Sequence, residues 1–162
     1  MVAKREYFYR IDSEGRLLHE GTELTDAYFL DFFFRQLQPN QTGSRPEFTY
    51  VSPCGREMNY VECNGLPIVF RSLLSPESSD RTSSLLFAGT LRIPFHPEGL
   101  FFNQATGELQ HPVEGLAGKR VTSIRMGRLG RHVLIELGRY IHEDGKGFLI
   151  LWQGKELTIR NL

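Results

Sequence analysis

The apolar residues of this chain come in short runs closed by clusters of turn-forming residues, a pattern that suits strands and their hairpins. Tyr7-Phe8-Tyr9-Arg10-Ile11 meets Asp12-Ser13-Glu14-Gly15 and leaves through Arg16-Leu17-Leu18-His19, which predicts a β-hairpin. Runs at 48–51 and 56–63 flank Ser52-Pro53-Cys54-Gly55, where Pro fixes one φ and Gly permits a positive one. In the second run Met58, Tyr60 and Glu62 share one face, and Asn59, Val61 and Cys63 the other. Asn64-Gly65 predicts a two-residue turn with residues 66–74 as the return strand.

The same grammar continues with β-type runs at 85–93, 100–102, 108–111 and near 121–126. A closing hairpin pairs 148–152 with 156–159 about Gln153-Gly154-Lys155. Residues 132–141 read as a strand because Val133, Ile135 and Leu137 alternate, although Leu134, Leu137 and Ile141 also suit a helix. Only 25–38 carries a clear helical period. There Thr25 and Asp26 supply capping oxygens, and Ala27, Leu30, Phe33, Phe34 and Leu37 line one face. Asp31 and Arg35 lie off it, spaced to pair, and Pro39 ends the helix.

The expected fold class is α+β: predominantly antiparallel sheets or a partly open barrel, with one amphipathic helix near residues 25–38. Gly15-x-Leu17-x-His19 and Gly107-x-Leu109-x-His111 each follow a polar turn, an echo that predicts two β-rich repeated halves. A chain of 162 residues that is 40% hydrophobic can bury a core as one domain over 1–162. The Ser- and charge-rich stretch 75–84 is the expected joint between sub-halves 1–75 and 85–162.

Charge and cysteine use narrow the partners. Lys plus Arg equals Asp plus Glu at 19 each, so no global field draws the chain to nucleic acid or to an anionic membrane. No apolar run approaches the roughly 20 residues that a spanning helix needs, so no membrane partner is expected. Two cysteines make no disulfide framework and the N-terminus has no hydrophobic signal core, which together predict a cytoplasmic location.

Three places can carry chemistry. The densest polar cluster is Ser52-Pro53-Cys54-Gly55-Arg56-Glu57-x-Asn59. Arg56 there offers charge-assisted donors, Glu57 an orienting carboxylate, Asn59 a donor and an acceptor. Cys54 would serve as a nucleophile only with a cation to lower its pKa and a histidine base in reach. The second place is the Pro-rich bend, across which His96, Glu98 and His111 have ligand-type side chains, but neither they nor Cys54 and Cys63 have the close spacing of a structural zinc site. The third is the run from Lys119 to His132, where Arg120, Arg125, Arg128 and Arg131 meet no acid until Glu136. Gly127 and Gly130 punctuate it, so guanidinium forks and turn N–H groups could hold a phosphate, including that of RNA, although no aromatic residue interleaves for base stacking. Dinucleotide, phosphate-loop and serine-elbow signatures do not occur, and no cofactor is implied.

Several blocks together resemble an uncharacterised, domain-of-unknown-function family of bacteria and eukaryotes, whose animal members look mitochondrial. They are Arg5-Glu6-Tyr7-Phe8-Tyr9 with Asp12 and Gly15, the Phe33 to Gly43 stretch, Cys54-Gly55-Arg56-Glu57-Met58-Asn59, Pro67-Ile68-Val69-Phe70, Pro94-Phe95 with Pro97, Gly107-x-Leu109-x-His111-Pro112 and Trp152-Gln153-Gly154. The resemblance spans most of the chain and implies no activity. The basic, serine-rich leader of the animal members is not seen here, so their address does not transfer. The order of elements also looks like a second uncharacterised bacterial family with repeated β-rich motifs and a suggested signalling role, a likeness of layout only.

The resulting expectation is a binding or regulatory module rather than an enzyme. A groove between the halves would take a small molecule or peptide beside Cys54, Arg56, Glu57, Asn59 and His111. Anion or RNA binding through 119–132, on Arg125, Arg128 and Arg131, is the rival, and a Cys54-dependent enzyme is the other.

Overall fold

A computed structural model describes residues 4–77 and 81–161. The first seven elements are β1 (Arg5–Ile11), β2 (Leu17–His19), β3 (Thr22–Glu23), α1 (Ala27–Gln36), β4 (Gln38–Pro39), β5 (Tyr50–Cys54) and β6 (Glu57–Cys63). They form an open sheet of order β3-β2-β1-β6-β5-β4 in which the central pair, β1 with β6, is parallel and the other pairs antiparallel. Asp26 caps α1 by accepting the Phe29 N–H at 2.8 Å, and Leu30, Phe33 and Phe34 turn inward. Leu37, just past the helix, is also fully buried.

The middle of the chain supplies β7 (Val69–Phe70) and a three-stranded antiparallel sheet of β8 (Ser72–Leu74), β9 (Ser84–Phe87) and β10 (Leu91–Pro94), ordered β10-β9-β8. Then the first pattern returns. β11 (Phe101–Asn103), β12 (Glu108–Pro112), β13 (Met126–Leu129), α2 (Arg131–Gly138), β14 (Ile141–Glu143), β15 (Phe148–Trp152) and β16 (Lys155–Asn161) follow in order. Their sheet runs β14-β15-β16-β11-β12-β13-β7, with β11 parallel to β16.

Read from β13 to β14, this order repeats that of β3 to β4, helix included. Two repeated β-rich units are therefore present, over 5–63 and 101–161, and the Gly-x-Leu-x-His echo marks equivalent hairpins: Gly15 and Gly107 both end the turn with positive φ, at +80° and +72°. One continuous apolar core runs through both repeats and the middle sheet, with Phe33, Phe34, Phe70 and Phe87 fully buried. Each such ring contributes about 1.5–3 kcal/mol of transfer free energy.

Several expectations need correction. Neither large sheet closes, so the barrel alternative falls. There are two helices among the described residues: 131–138 is helical because Val133 and Leu137 point inward one turn apart while Ile135 is 65% exposed, which strand alternation would forbid. The strand expected near 121–126 lies at Met126–Leu129. Residues 66–74 do not return beside β6, because β6 already has β1 on one side and β5 on the other. They instead supply β7 and β8 to two other sheets. Asp31 does not pair with Arg35; it accepts hydrogen bonds from the Thr90 N–H, at 2.6 Å, and from the Thr90 hydroxyl. Part of the expected 75–84 joint, residues 78–80, lies outside the described residues.

Candidate functional site

β7 is the keystone of the arrangement. Arg128 N–H donates to the Ile68 carbonyl at 3.0 Å and Gly130 N–H to the Phe70 carbonyl at 2.8 Å, so the second sheet captures a strand from the middle of the chain. A Cβ on Gly130 would lie 2.7 Å from the Phe70 oxygen, so only glycine lets the two backbones approach this closely. The same glycine is the N-cap of α2 and has no side chain with which to cap it. The first-turn N–H groups of α2 therefore carry no side-chain acceptor, and the turn contains no acid.

Gly130, Arg131 and His132 at this junction line a groove of about 650 Å3. Its walls come from three parts of the chain: Ser13, Glu14 and Arg16 of the first hairpin turn, Arg71 and Ser72 beside β7, and Arg128, Gly130, Arg131 and His132 at the β13–α2 junction. Val69, Leu86 and Ile135 supply its apolar surface. A volume in this range suits a small molecule.

The charges in the groove are unequally engaged. Arg16 is held by Asp12 at 2.7 Å and by Glu14 at 3.7 Å. Burial raises the Asp12 carboxyl, but hydrogen bonds from the Arg16 N–H and guanidinium and from the Glu14 N–H outweigh it, and its pKa settles below the ordinary value. Arg128 donates to the Ser13 carbonyl and lies 3.8 Å from Glu108, while Arg71 donates to the Ala88 carbonyl. Each of these two guanidinium groups has further N–H donors. The Arg131 side chain has no hydrogen-bond or ion-pair partner among the described residues. Arg16 and Arg71 also line a smaller adjoining cavity of about 170 Å3 at the start of α1.

Of the rival anion-binding residues, Arg128 and Arg131 thus meet in one groove, whereas Arg125 lines a separate cavity of about 400 Å3 with Lys119 and Arg120. The polar cluster at 52–59 is placed differently. Cys54 and Glu57 pair across the β5–β6 turn, the Ser52 hydroxyl donates to the Phe33 carbonyl at 2.7 Å, and Asn59 donates to the Ser52 carbonyl at 2.9 Å. The Asn59 oxygen, buried, has no partner. Arg56 is exposed.

His111 stands apart from these four, in β12 of the other sheet, against the rings of Phe95 and Phe70 at 5.6 and 6.0 Å. Its Nδ1 faces the Pro112 carbonyl at 2.8 Å and its Nε2 accepts from the His96 N–H at 3.1 Å. Burial pushes its pKa below the ordinary histidine value. His96 Nδ1 lies 3.8 Å from Glu98, yet both ring nitrogens of His111 are turned to backbone, and no three His, Cys, Asp or Glu side chains gather as metal ligands among the described residues. No helix among those residues is long and apolar enough to cross a membrane.

Arg71 and Arg16 were not singled out as site residues by sequence. Arg71 alone left a trace, as the one charge between Ile68 and Leu74 in an otherwise apolar segment.

A family model described as a domain of unknown function, DUF4505, matches residues 2–161. Among solved structures, a DUF1285 family protein from Silicibacter pomeroyi DSS-3 is similar with TM-score 0.55 and 12% identity, the match covering 96% of this chain and 81% of that one. A DUF1285 family protein from Shewanella baltica OS155 gives TM-score 0.53 and 14% identity over 81% of this chain and 90% of its own. At these identities the likeness is one of fold.

Proposed function

We propose, from the premise that this chain belongs to the DUF4505 family of unknown function, that it is a non-enzymatic binding module for a small anionic molecule held in the groove between its repeats. The observation that carries this reading is the Arg131 side chain, without a partner among the described residues, beside Arg71, Arg128 and the uncapped first turn of α2 along one cavity. Guanidinium groups bind phosphate or carboxylate through paired donors, and a partly enclosed groove strengthens such bonds. The reading keeps the expected groove between halves but moves its anchoring side chains from Cys54, Arg56, Glu57, Asn59 and His111 to the arginines.

The groove's size favours a small molecule over an RNA strand, and two free cysteines fit a cytoplasmic, reducing setting. Isothermal titration with inorganic phosphate and nucleoside phosphates tests the reading. Binding weakened at least tenfold by Arg131→Ala is expected; loss through Arg56→Ala instead would place the site on the β5–β6 hairpin.

A further inference from the structure

The four guanidinium groups that line the groove differ in how far acids offset them. Arg16 faces two carboxylates, Asp12 at 2.7 Å and Glu14 at 3.7 Å, so that corner carries a negative charge in excess. Arg128 has Glu108 at 3.8 Å and the Ser13 carbonyl. Arg71 meets only a neutral acceptor, the Ala88 carbonyl, and the Arg131 side chain meets none among the described residues. These last two belong together. Gly130 N–H donates to the Phe70 carbonyl at 2.8 Å, and Arg71 and Arg131 are the next residues of the two joined segments. The Arg71 N–H is itself held by the Leu86 carbonyl at 2.8 Å. Arg128 lies in register with Val69, two residues and roughly 7 Å back along the strands from Arg71. His132, the other titratable group of the lining, has no formal charge at pH 7. Two whole positive charges are thus left without an acid beside the uncapped N-terminus of α2, whose dipole has the same sign.

Resting on the anion-binding reading above, we infer that the groove selects one doubly charged terminal phosphate, that of a phosphate monoester, over phosphodiesters and carboxylates and over polyphosphate chains. The two guanidinium groups without an acid match the two charges of a monoester. A diester or a carboxylate brings a single charge and leaves one cation unpaired. Further phosphates would run toward Arg128 and Arg16, which Glu108, Asp12 and Glu14 already offset, and would meet the surplus carboxylate there. The interior of an RNA strand offers diesters alone and is excluded by the same charge pattern.

The test is titration of the full chain with methyl phosphate, dimethyl phosphate, acetate and tripolyphosphate, at pH 8 and constant ionic strength without divalent cations, repeated for Arg71→Gln, Arg131→Gln and Glu14→Gln. Methyl phosphate should bind about tenfold or more tightly than dimethyl phosphate or acetate, and tripolyphosphate no more than about twofold tighter than methyl phosphate. Either arginine replacement should bring the ratio of methyl to dimethyl phosphate toward one, and Glu14→Gln should raise tripolyphosphate relative to methyl phosphate. Arg131 and Glu14 are exposed, so their replacement does not open the core. Equal binding of methyl and dimethyl phosphate, a preference that survives both arginine replacements, tripolyphosphate held far more tightly than methyl phosphate, or a tripolyphosphate ratio indifferent to Glu14→Gln would overturn this inference and leave the anion-binding reading standing. Absence of binding for all four probes would overturn both.

Discussion

Gly15 and Val69 meet with no room for one more carbon: a Cβ built on Gly15 would lie 2.7 Å from the Val69 Cβ. The contact presses the first hairpin turn onto β7 and so sets one wall of the groove. Gly15 also holds φ at +80°, a value that side chains disfavour.

Gly15→Ala should therefore cost about 2–4 kcal/mol, backbone strain and overpacking combined. Its counterpart in the second repeat, Gly107, has φ of +72° with open space around it, so Gly107→Ala should lose only about 1 kcal/mol. Chemical denaturation of both variants measures the difference. Equal losses would mean that the contact with Val69 carries no energy.

Acid should weaken the fold through His111. The folded chain holds this imidazole neutral with its pKa lowered by burial, while the unfolded chain takes up the proton near pH 6.5. Protons thus favour the unfolded state once pH drops below that value: stability is whole above about pH 6.5 and declines beneath it. Exposed His96 and Glu98 are its titratable neighbours. Melting temperature followed from pH 7.5 to 5.5 should fall more steeply for the native protein than for His111→Asn, and parallel curves would contradict the assignment.

The Cys63 thiol offers a third check. Burial pushes Cys63 up to about 11, and its sulfur lies 3.7 Å from the Gly65 carbonyl. Alkylation of Cys63 in the folded protein should be slow at neutral pH and accelerate only toward pH 11, as followed by mass spectrometry of the labelled peptides. Rapid labelling at pH 7 would show that the β6 end opens in solution.

Local chemistry was well written in the sequence. Asp12 to Gly15 turns as read, Asp26 caps α1 as read, and Gln153-Gly154, both with positive φ, closes the last hairpin. What failed was competition between segments. Asn64-Gly65 has hairpin chemistry, but β6 has no free edge left for a return strand, and only the sheet as a whole reveals that. Residues 131–138 satisfied two periods at once, and the need to bury Val133 and Leu137 while exposing Ile135 decided between them. The groove was half legible. Arg128 and Arg131 stood out as part of a run of cations without acids, whereas Arg16 and Arg71 join them only because β7, from the segment between the repeats, pairs into the sheet of the second.

Amide chemical shifts of the uniformly labelled protein, followed as inorganic phosphate is added, test the groove directly. The account predicts saturable shifts at Gly130 to Val133 and at Arg71, with residues 54–59 and 119–125 still. Shifts confined to either of those two segments, or none at all at millimolar phosphate, would contradict it.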